Sequence, residues 1–256
     1  MGKLAICISG HSRSYKKCFE NINKQILSNY DCDVFISTYT DSDEIIKDIK
    51  KIYKPKLIQI NDEKSDIFTK TINNYQKTLS EVRFKCIPYL IFDKPKVSYN
   101  DNIYFDKDDK YGISYTTITN CALSQFYGIY DASQLCKQYV DSGVKYDYII
   151  RLRLDDNISG NFKLIELNED EVIVNTIQNY SNSIKVSDFF FMAKPDTFFK
   201  VANLYNNLND IINYINKNDY WLPGSGYQET LLFINIVMQN IKIIESNKYF
   251  LISKCK

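Results

Sequence analysis

Histidine is almost absent from this chain, with His11 standing alone, and arginine occurs only four times, at 13, 83, 151 and 153, among 32 basic residues. A single histidine rules out the His–His and Cys–His groupings that zinc prefers. The seven cysteines (7, 18, 32, 86, 121, 136 and 255) are scattered singly, with no Cys-x-x-Cys pair. A zinc finger and a dithiol redox motif are therefore not expected. Cys7, Cys121 and Cys136 sit in apolar or helical patterns and read as reduced core residues. Eight glycines give neither a dinucleotide fingerprint nor a P-loop, since Gly224-Ser225-Gly226 is too short for either. Gly-x-Ser-x-Gly is missing too, so Ser12 and Ser14 have no nucleophile elbow. No apolar run approaches the roughly 20 residues of a spanning helix, and the opening Leu4–Ile8 run is too short for a signal peptide. These absences point to a cytoplasmic protein without a transmembrane segment. Charge of one sign is also lacking: 32 basic residues face 31 acidic ones, giving a formal net charge of +1. A basic face for nucleic acid is not expected.

What is present is a core-forming chain of 256 residues, 45% hydrophobic, with no visible linker or repeat. One domain is the expectation. The run Leu4–Ile8 reads as a strand entering the Ser9-Gly10 turn. A helical pattern follows from Arg13 to about Asn29, then a strand over Asp33–Tyr39 rich in β-branched and aromatic residues. Asp41-Ser42-Asp43 can cap a helix running to Ile52, and Pro55–Ile60 reads as a third strand. Residues 63–85 look helical and 86–112 irregular, fitting a mobile loop or a lid over a site. A long helix is expected from Thr116 to Ser142, closed by Gly143. Strands are expected over 146–155, 171–176, 186–192 and 241–252, with helices at 196–216 and 227–240. Strands and helices alternating at this rhythm predict an α/β fold of Rossmann type: a mostly parallel sheet with flanking helices.

The strand over 146–157, Tyr-Asp-Tyr-Ile-Ile-Arg-Leu-Arg-Leu-Asp-Asp-Asn, carries the strongest chemical signal. Alternation puts Arg151, Arg153 and Asp155 on one face and Ile150, Leu152 and Leu154 on the other. Charge in a central parallel strand is costly unless it meets a polar crevice. Open α/β sheets bind ligands at that carboxyl edge. Arginine is informative in a lysine-rich chain because lysine cannot copy the planar fork of a guanidinium. The alternative is pairing of these arginines with neighbouring carboxylates at a sheet edge. Asp155, Asp156 and Asn157 offer hard oxygens that suit Mg²⁺ or Mn²⁺, and the same triplet also suits a turn or a helix cap.

Four segments then stand in order: Ile-Ser-Gly-His-Ser-Arg-Ser (8–14), Asp-Val-Phe-Ile-Ser-Thr (33–38), Ser-Gln-Phe-Tyr-Gly-Ile-Tyr (124–130) and Tyr-Asp-Tyr-Ile-Ile-Arg-Leu-Arg-Leu-Asp (146–155). Together they resemble GT-A glycosyltransferases of bacterial surface polysaccharides and of large DNA viruses, including those like the WavE lipopolysaccharide-synthesis family. The likeness covers about residues 4–160. It implies a GT-A-like fold in one domain over 1–256, with a nucleotide-sugar half (about 1–160) and an acceptor half (about 161–256). It also implies sugar transfer from a UDP- or GDP-linked donor to a hydroxyl of a glycan or glycolipid, assisted by Mn²⁺ or Mg²⁺. The setting would be polysaccharide biosynthesis in a bacterial cytosol, or in host cytoplasm for a virus.

In such enzymes the metal motif is Asp-x-Asp. Here Arg153 stands at the first aspartate's place and Asp155 at the second, so the resemblance implies a metal at Asp155 with help from Asp156 or Asn157. It places Ser9, Gly10, Arg13, Gln125, Arg151 and Arg153 around the nucleotide sugar. A tight turn entering a helix favours phosphate, and Arg13 can add a forked contact. His11 reads as a polar turn residue or a nucleobase contact. Inverting transfer needs a carboxylate base. Glu229, in the first turn of a helix after the loop from Trp221, is the expected base. Asp188 is the expected sugar ligand or alternative base, while Trp221 and Tyr227 either stack on a sugar ring or belong to the core. Two rivals remain: a nucleotide-sugar or glycan-binding protein without catalysis, and a sugar nucleotidyltransferase.

Overall fold

A computed structural model describes residues 2–39, 41–62, 84–85, 97–99, 102–104, 115–180, 183–218, 222–223, 227–246 and 250–254. The first half contributes β1 (Lys3–Gly10), α1 (Tyr15–Ile22), β2 (Asp31–Tyr39), α2 (Asp43–Tyr53) and β3 (Leu57–Asn61). Three short strands follow, β4 (Phe84–Lys85), β5 (Val97–Tyr99) and β6 (Asn102–Tyr104), and then the long α3 (Tyr115–Asp141). The expected helix over 63–85 is thus replaced by strand at its last two residues, and the rest of it lies outside the described residues. So does most of the expected lid, within which β5 and β6 pair antiparallel.

The second half contributes β7 (Tyr148–Arg153), β8 (Asp156–Gly160), β9 (Glu171–Val174), β10 (Ile177–Tyr180), β11 (Ser183–Val186) and β12 (Phe191–Ala193). After these come α4 (Pro195–Ala202), α5 (Leu208–Lys217), β13 (Leu222–Pro223), α6 (Tyr227–Met238), β14 (Lys242–Glu245) and β15 (Phe250–Lys254). Three expected elements are split. The helix over 196–216 breaks into α4 and α5 around a 3₁₀ turn at Asn203–Tyr205, where four of the five residues 203–207 are asparagine or tyrosine. Asparagine competes for backbone hydrogen bonds, and the Asn203 amide bonds the Asn207 side chain here. The strand over 186–192 ends in β11 and resumes in β12 across a bend. The last strand divides into β14 and β15.

A seven-stranded sheet runs in the order β14-β9-β12-β7-β1-β2-β3. Every pairing is parallel except those of β12, which opposes both neighbours. Counted along the chain, these strands are 3-2-1-4-6-5-7 with only the sixth reversed. The fold is therefore mixed α/β with a mostly parallel sheet, compatible with a Rossmann-like arrangement.

Alternation along the central strands sorts the core into two layers. Leu4, Ile6, Ile8, Ile150, Leu152 and Leu154 face α1 and α2. Ala5, Cys7, Phe35 and Ile149 face α3, α4 and α6 through Phe126, Ile129, Phe198 and Leu231. Small residues on that second face let α3 lie close to the sheet. A Cβ at Gly128 would come 3.5 Å from Ser9 Cβ and 3.5 Å from Tyr39 Oη. Cys7 and Cys136 are free thiols buried where α3 meets β1, while Cys121 has no described side chain. The two-stranded β8–β15 ladder lies on the α1 side, with Ile158, Phe250 and Ile252 in that layer. Asn175 ties it to the main sheet as a backbone mimic: its Nδ2 donates to Ile252 O at 2.8 Å and its Oδ1 accepts from Ile252 N at 2.9 Å. Among the described residues no helix is long and apolar enough to cross a membrane.

Candidate functional site

The chain reverses direction across the sheet between β1 and β7: β2 and β3 build outward on one side of β1, and β7 begins the other side. A crevice opens at such a switch point beyond the carboxyl ends of the two strands. Ser9 and Arg153 are register partners at those ends.

On β1, Gly10 takes φ +126°, with open space where a Cβ would stand. That conformation suits glycine, and it turns the chain out of the sheet toward α1. The turn is braced from β2. Thr38 Oγ1 donates to Gly10 O at 2.8 Å, Ser12 Oγ donates to the Asp41 carboxylate, and the His11 ring lies 4.6 Å from the Tyr39 ring. The Ser12 bond, followed by the Ser42 backbone N–H, holds Asp41 below the ordinary carboxylate range. Ser42 itself caps α2, its Oγ accepting from Ile45 N. Tyr39 Oη donates to Ser124 O at 2.5 Å, fixing α3 beside the turn. His11 and Arg13 stay exposed.

On β7 the two arginines behave differently. Arg151 is 2% exposed; its Nη1 donates to Phe189 O at 2.9 Å and its Nη2 to Ser9 Oγ at 3.3 Å. Its Nε–H is buried without a partner. Burial pulls its pKa down to about 10, so it stays charged at neutral pH. Arg153 makes a two-pronged bond to Asp155, Nε to Oδ1 at 2.7 Å and Nη2 to Oδ2 at 3.0 Å, and lies over the Phe189 ring at 5.3 Å. Burial opposes its charge, but the Asp155 fork outweighs that and raises its pKa.

Asp156 folds back beneath this pair. Its Oδ2 accepts from Arg153 N at 2.7 Å, which closes the turn between β7 and β8, and its Oδ1 is buried without a partner. The side chain is fully inaccessible, and burial pushes its pKa up to about 7 against the pull of Arg151. Asn21 locks the turn from α1, donating to Ile158 O at 3.0 Å and accepting from Ile158 N at 2.6 Å.

Asp188 enters from the bend between β11 and β12. It is 3% exposed, accepts a hydrogen bond from the Gln125 amide of α3, and lies within electrostatic reach of both Arg151 and Arg153. Ser9, Gln125, Arg151, Arg153, Asp155 and Asp188 are thus gathered at one edge, with Gly10 and Arg13 on the adjoining turn. Glu229 lies in the first turn of α6, and the charge it acts on is Lys185 of β11, whose pKa is lowered by burial and partly restored by Glu229. Tyr227 is buried in the core, one of the two places left open for it, and Trp221 lies outside the described residues.

The expected metal ligands do not converge. Asp155 is committed to Arg153, Asp156 points inward, and Asn157 is a member of the β8–β15 ladder opposite Ser253. Among the described residues no group of three or more His, Cys, Asp or Glu is placed to hold a metal ion. Mg²⁺ and Mn²⁺ need only one or two carboxylates and keep several waters, but both Asp155 oxygens are engaged by Arg153 and Asp156 has no exposed surface, so this donor set does not fit a resident divalent ion.

Sequence reasoning missed three contributors. Phe189 was concealed in an apolar run, Asp41 read as a cap alone, and Tyr39 as a strand residue. In comparison with known proteins, no family model matches the chain and no curated sequence is significantly similar to it.

Proposed function

We propose that this chain is a GT-A-like glycosyltransferase that moves a sugar from a nucleoside-diphosphate donor to a hydroxyl of a glycan or glycolipid acceptor. The observation that carries the reading is the meeting of Arg151, Arg153 and the Gly10–Arg13 turn at the carboxyl edge where β1 and β7 part. Forked, fixed cations beside a tight turn into a helix are suited to a diphosphate. The mostly parallel sheet with flanking helices is compatible with the same reading.

In this mechanism the donor diphosphate lies against Arg13 and Arg153. Arg151, too buried to reach solvent, anchors Ser9 and the Phe189 carbonyl and so fixes the crevice floor. Asp188, aimed by Gln125, accepts hydrogen bonds from hydroxyls of the donor sugar. Glu229 takes the proton of the acceptor hydroxyl as that oxygen attacks the anomeric carbon. The bond from that carbon to the diphosphate breaks, and the arginines stabilise the negative charge that develops on the leaving oxygen. Mn²⁺ or Mg²⁺, implied by the family resemblance, would meet Asp155 already engaged by Arg153 and Asp156 buried.

A panel of UDP- and GDP-linked sugars tests the class directly. One donor is expected to bind and to release its nucleoside diphosphate, slowly by hydrolysis and faster with acceptor. Glu229→Gln should lower turnover about 10²–10⁴-fold with little change in donor affinity. Binding of one donor with no turnover under any acceptor would favour the non-catalytic binding protein, a reading that the closed Arg153–Asp155 fork also suits. No binding across the panel would sink the proposal.

A further inference from the structure

Three of the four arginines in a lysine-rich chain stand at the switch point: Arg151 and Arg153 end β7, and Arg13 lies three residues past the end of β1. The Arg153 side chain is 13% exposed and that of Asp155 8%. Their two hydrogen bonds use Nε and Nη2 of Arg153 and one oxygen each of Asp155. Nη1, the remaining corner of the guanidinium, takes no part in the fork, and the Phe189 ring backs the plate at 5.3 Å. A guanidinium held on one edge by a carboxylate and on one face by an aromatic ring keeps a single orientation. Little entropy is then lost when its remaining corner meets phosphate oxygens.

The same fork removes the carboxylate that a metal would need. A divalent ion at Asp155 would have to displace a bidentate, largely buried ion pair, and the next carboxylate along, Asp156, has one oxygen on the Arg153 amide and no exposed surface. We propose that Arg153, positioned by Asp155, stands where a divalent cation would otherwise meet the donor diphosphate, so that this chain binds its nucleotide donor without a metal. Asp155 is then a positioning residue for a guanidinium and not a metal ligand. The inference rests on the nucleotide-sugar reading above and names the cation of that site.

The test is calorimetric titration of the full chain, dialysed against EDTA, with UDP and with GDP as probes, in the absence and presence of Mn²⁺. One nucleotide is expected to bind, with affinity shifted less than about threefold by Mn²⁺, since fixed charge-assisted donors already neutralise the phosphates. Arg153→Gln should weaken that binding about tenfold or more whether or not Mn²⁺ is present. Arg153→Lys keeps the charge, loses the fork and should also weaken it, which covers the case of a Gln variant that does not fold. Asp155→Asn should weaken it several-fold with no new response to Mn²⁺, because the guanidinium is loosened and no metal is lost. Free Mn²⁺ followed by its paramagnetic resonance signal should not be depleted by the protein. Binding that Mn²⁺ tightens about tenfold or more, abolished in Asp155→Asn and kept in Arg153→Gln, would overturn the inference and leave the glycosyltransferase reading standing. Absence of binding by either nucleotide in either condition would withdraw that reading and this inference together.

Discussion

At the scale of single residues, Asp156 shows how a motif carboxylate serves structure. It is the most deeply buried charge-bearing group in the turn, with one oxygen on the Arg153 amide and the other without a partner. An unfolded aspartate loses its proton near 3.8, whereas this one holds it to about 7. A carboxyl raised in this way contributes stability that is complete below about pH 4 and is lost as pH rises through about 7. Each tenfold change in proton affinity is equivalent to roughly 1.4 kcal/mol, so the loss is on the order of a few kcal/mol. Asp156→Asn keeps an acceptor for the Arg153 amide and never ionises. Urea unfolding at pH 5 and at pH 8 should therefore show the variant gaining on wild type by roughly 2 kcal/mol or more between the two. Parallel stability curves for the two proteins would mean that the Asp156 pKa is the same in the folded chain as in the unfolded one.

At the scale of elements, α3 is the support on which the crevice depends. Gly128 lets it approach Ser9 and Tyr39, and the adjacent turn of the helix carries Ser124, the acceptor for Tyr39, and Gln125, the donor to Asp188. Because 3.5 Å is ordinary contact distance, a methyl group fits there without displacing its neighbours. Gly128→Ala should gain up to about 1 kcal/mol from helix propensity, raising Tm by about 1–4 °C in thermal unfolding. Gly128→Leu should instead lose about 1–3 kcal/mol by overpacking and push Ser9 away from Arg151. If the alanine variant proved less stable, the packing of α3 on β1 would have to be tighter than described. The same elements show how far the sequence was legible. The main strands and helices could be read because their apolar residues alternate or recur at helical spacing, and the charged end of β7 stood out against that pattern. The Asp155–Asp156–Asn157 cluster is harder to read, because three hard oxygens in a row look alike in sequence. Backbone geometry sends one to an arginine, one inward and one into a ladder. The β8–β15 ladder itself depends on an Asn175 contact reaching 77 positions along the chain, which no local pattern encodes.

At the scale of the whole molecule, the two ends of the sheet divide the work. The amino-terminal end is closed by Asp33, which accepts from Tyr146 Oη at 2.8 Å and pairs with Lys3 at 2.7 Å and Lys56 at 3.5 Å. Those partners precede or begin β7, β1 and β3, so one carboxylate cross-links four neighbouring strands where each enters the sheet. Burial opposes its ionisation, yet the Lys3 bond, the Tyr146 bond and the Lys56 charge together hold its pKa below 3.8. Its contribution is therefore present above the ordinary aspartate pKa and is lost as pH falls through the lowered value. At the carboxyl-terminal end Arg151 is buried on Ser9 and the Phe189 carbonyl and Arg153 is forked to Asp155, while Arg13 is exposed. Substitutions at the two ends should then separate stability from binding. Asp33→Asn weakens the link to two lysines and is expected to cost about 1–3 kcal/mol in urea unfolding at pH 7, with nucleoside-diphosphate affinity unchanged within about twofold. Arg13→Gln should do the reverse, leaving stability within about 0.5 kcal/mol of wild type while weakening nucleotide binding about three- to tenfold. Should Asp33→Asn abolish binding in a chain that remains folded, the two ends would be coupled through β1 and β7, and the crevice could not be treated as a site built on a rigid sheet.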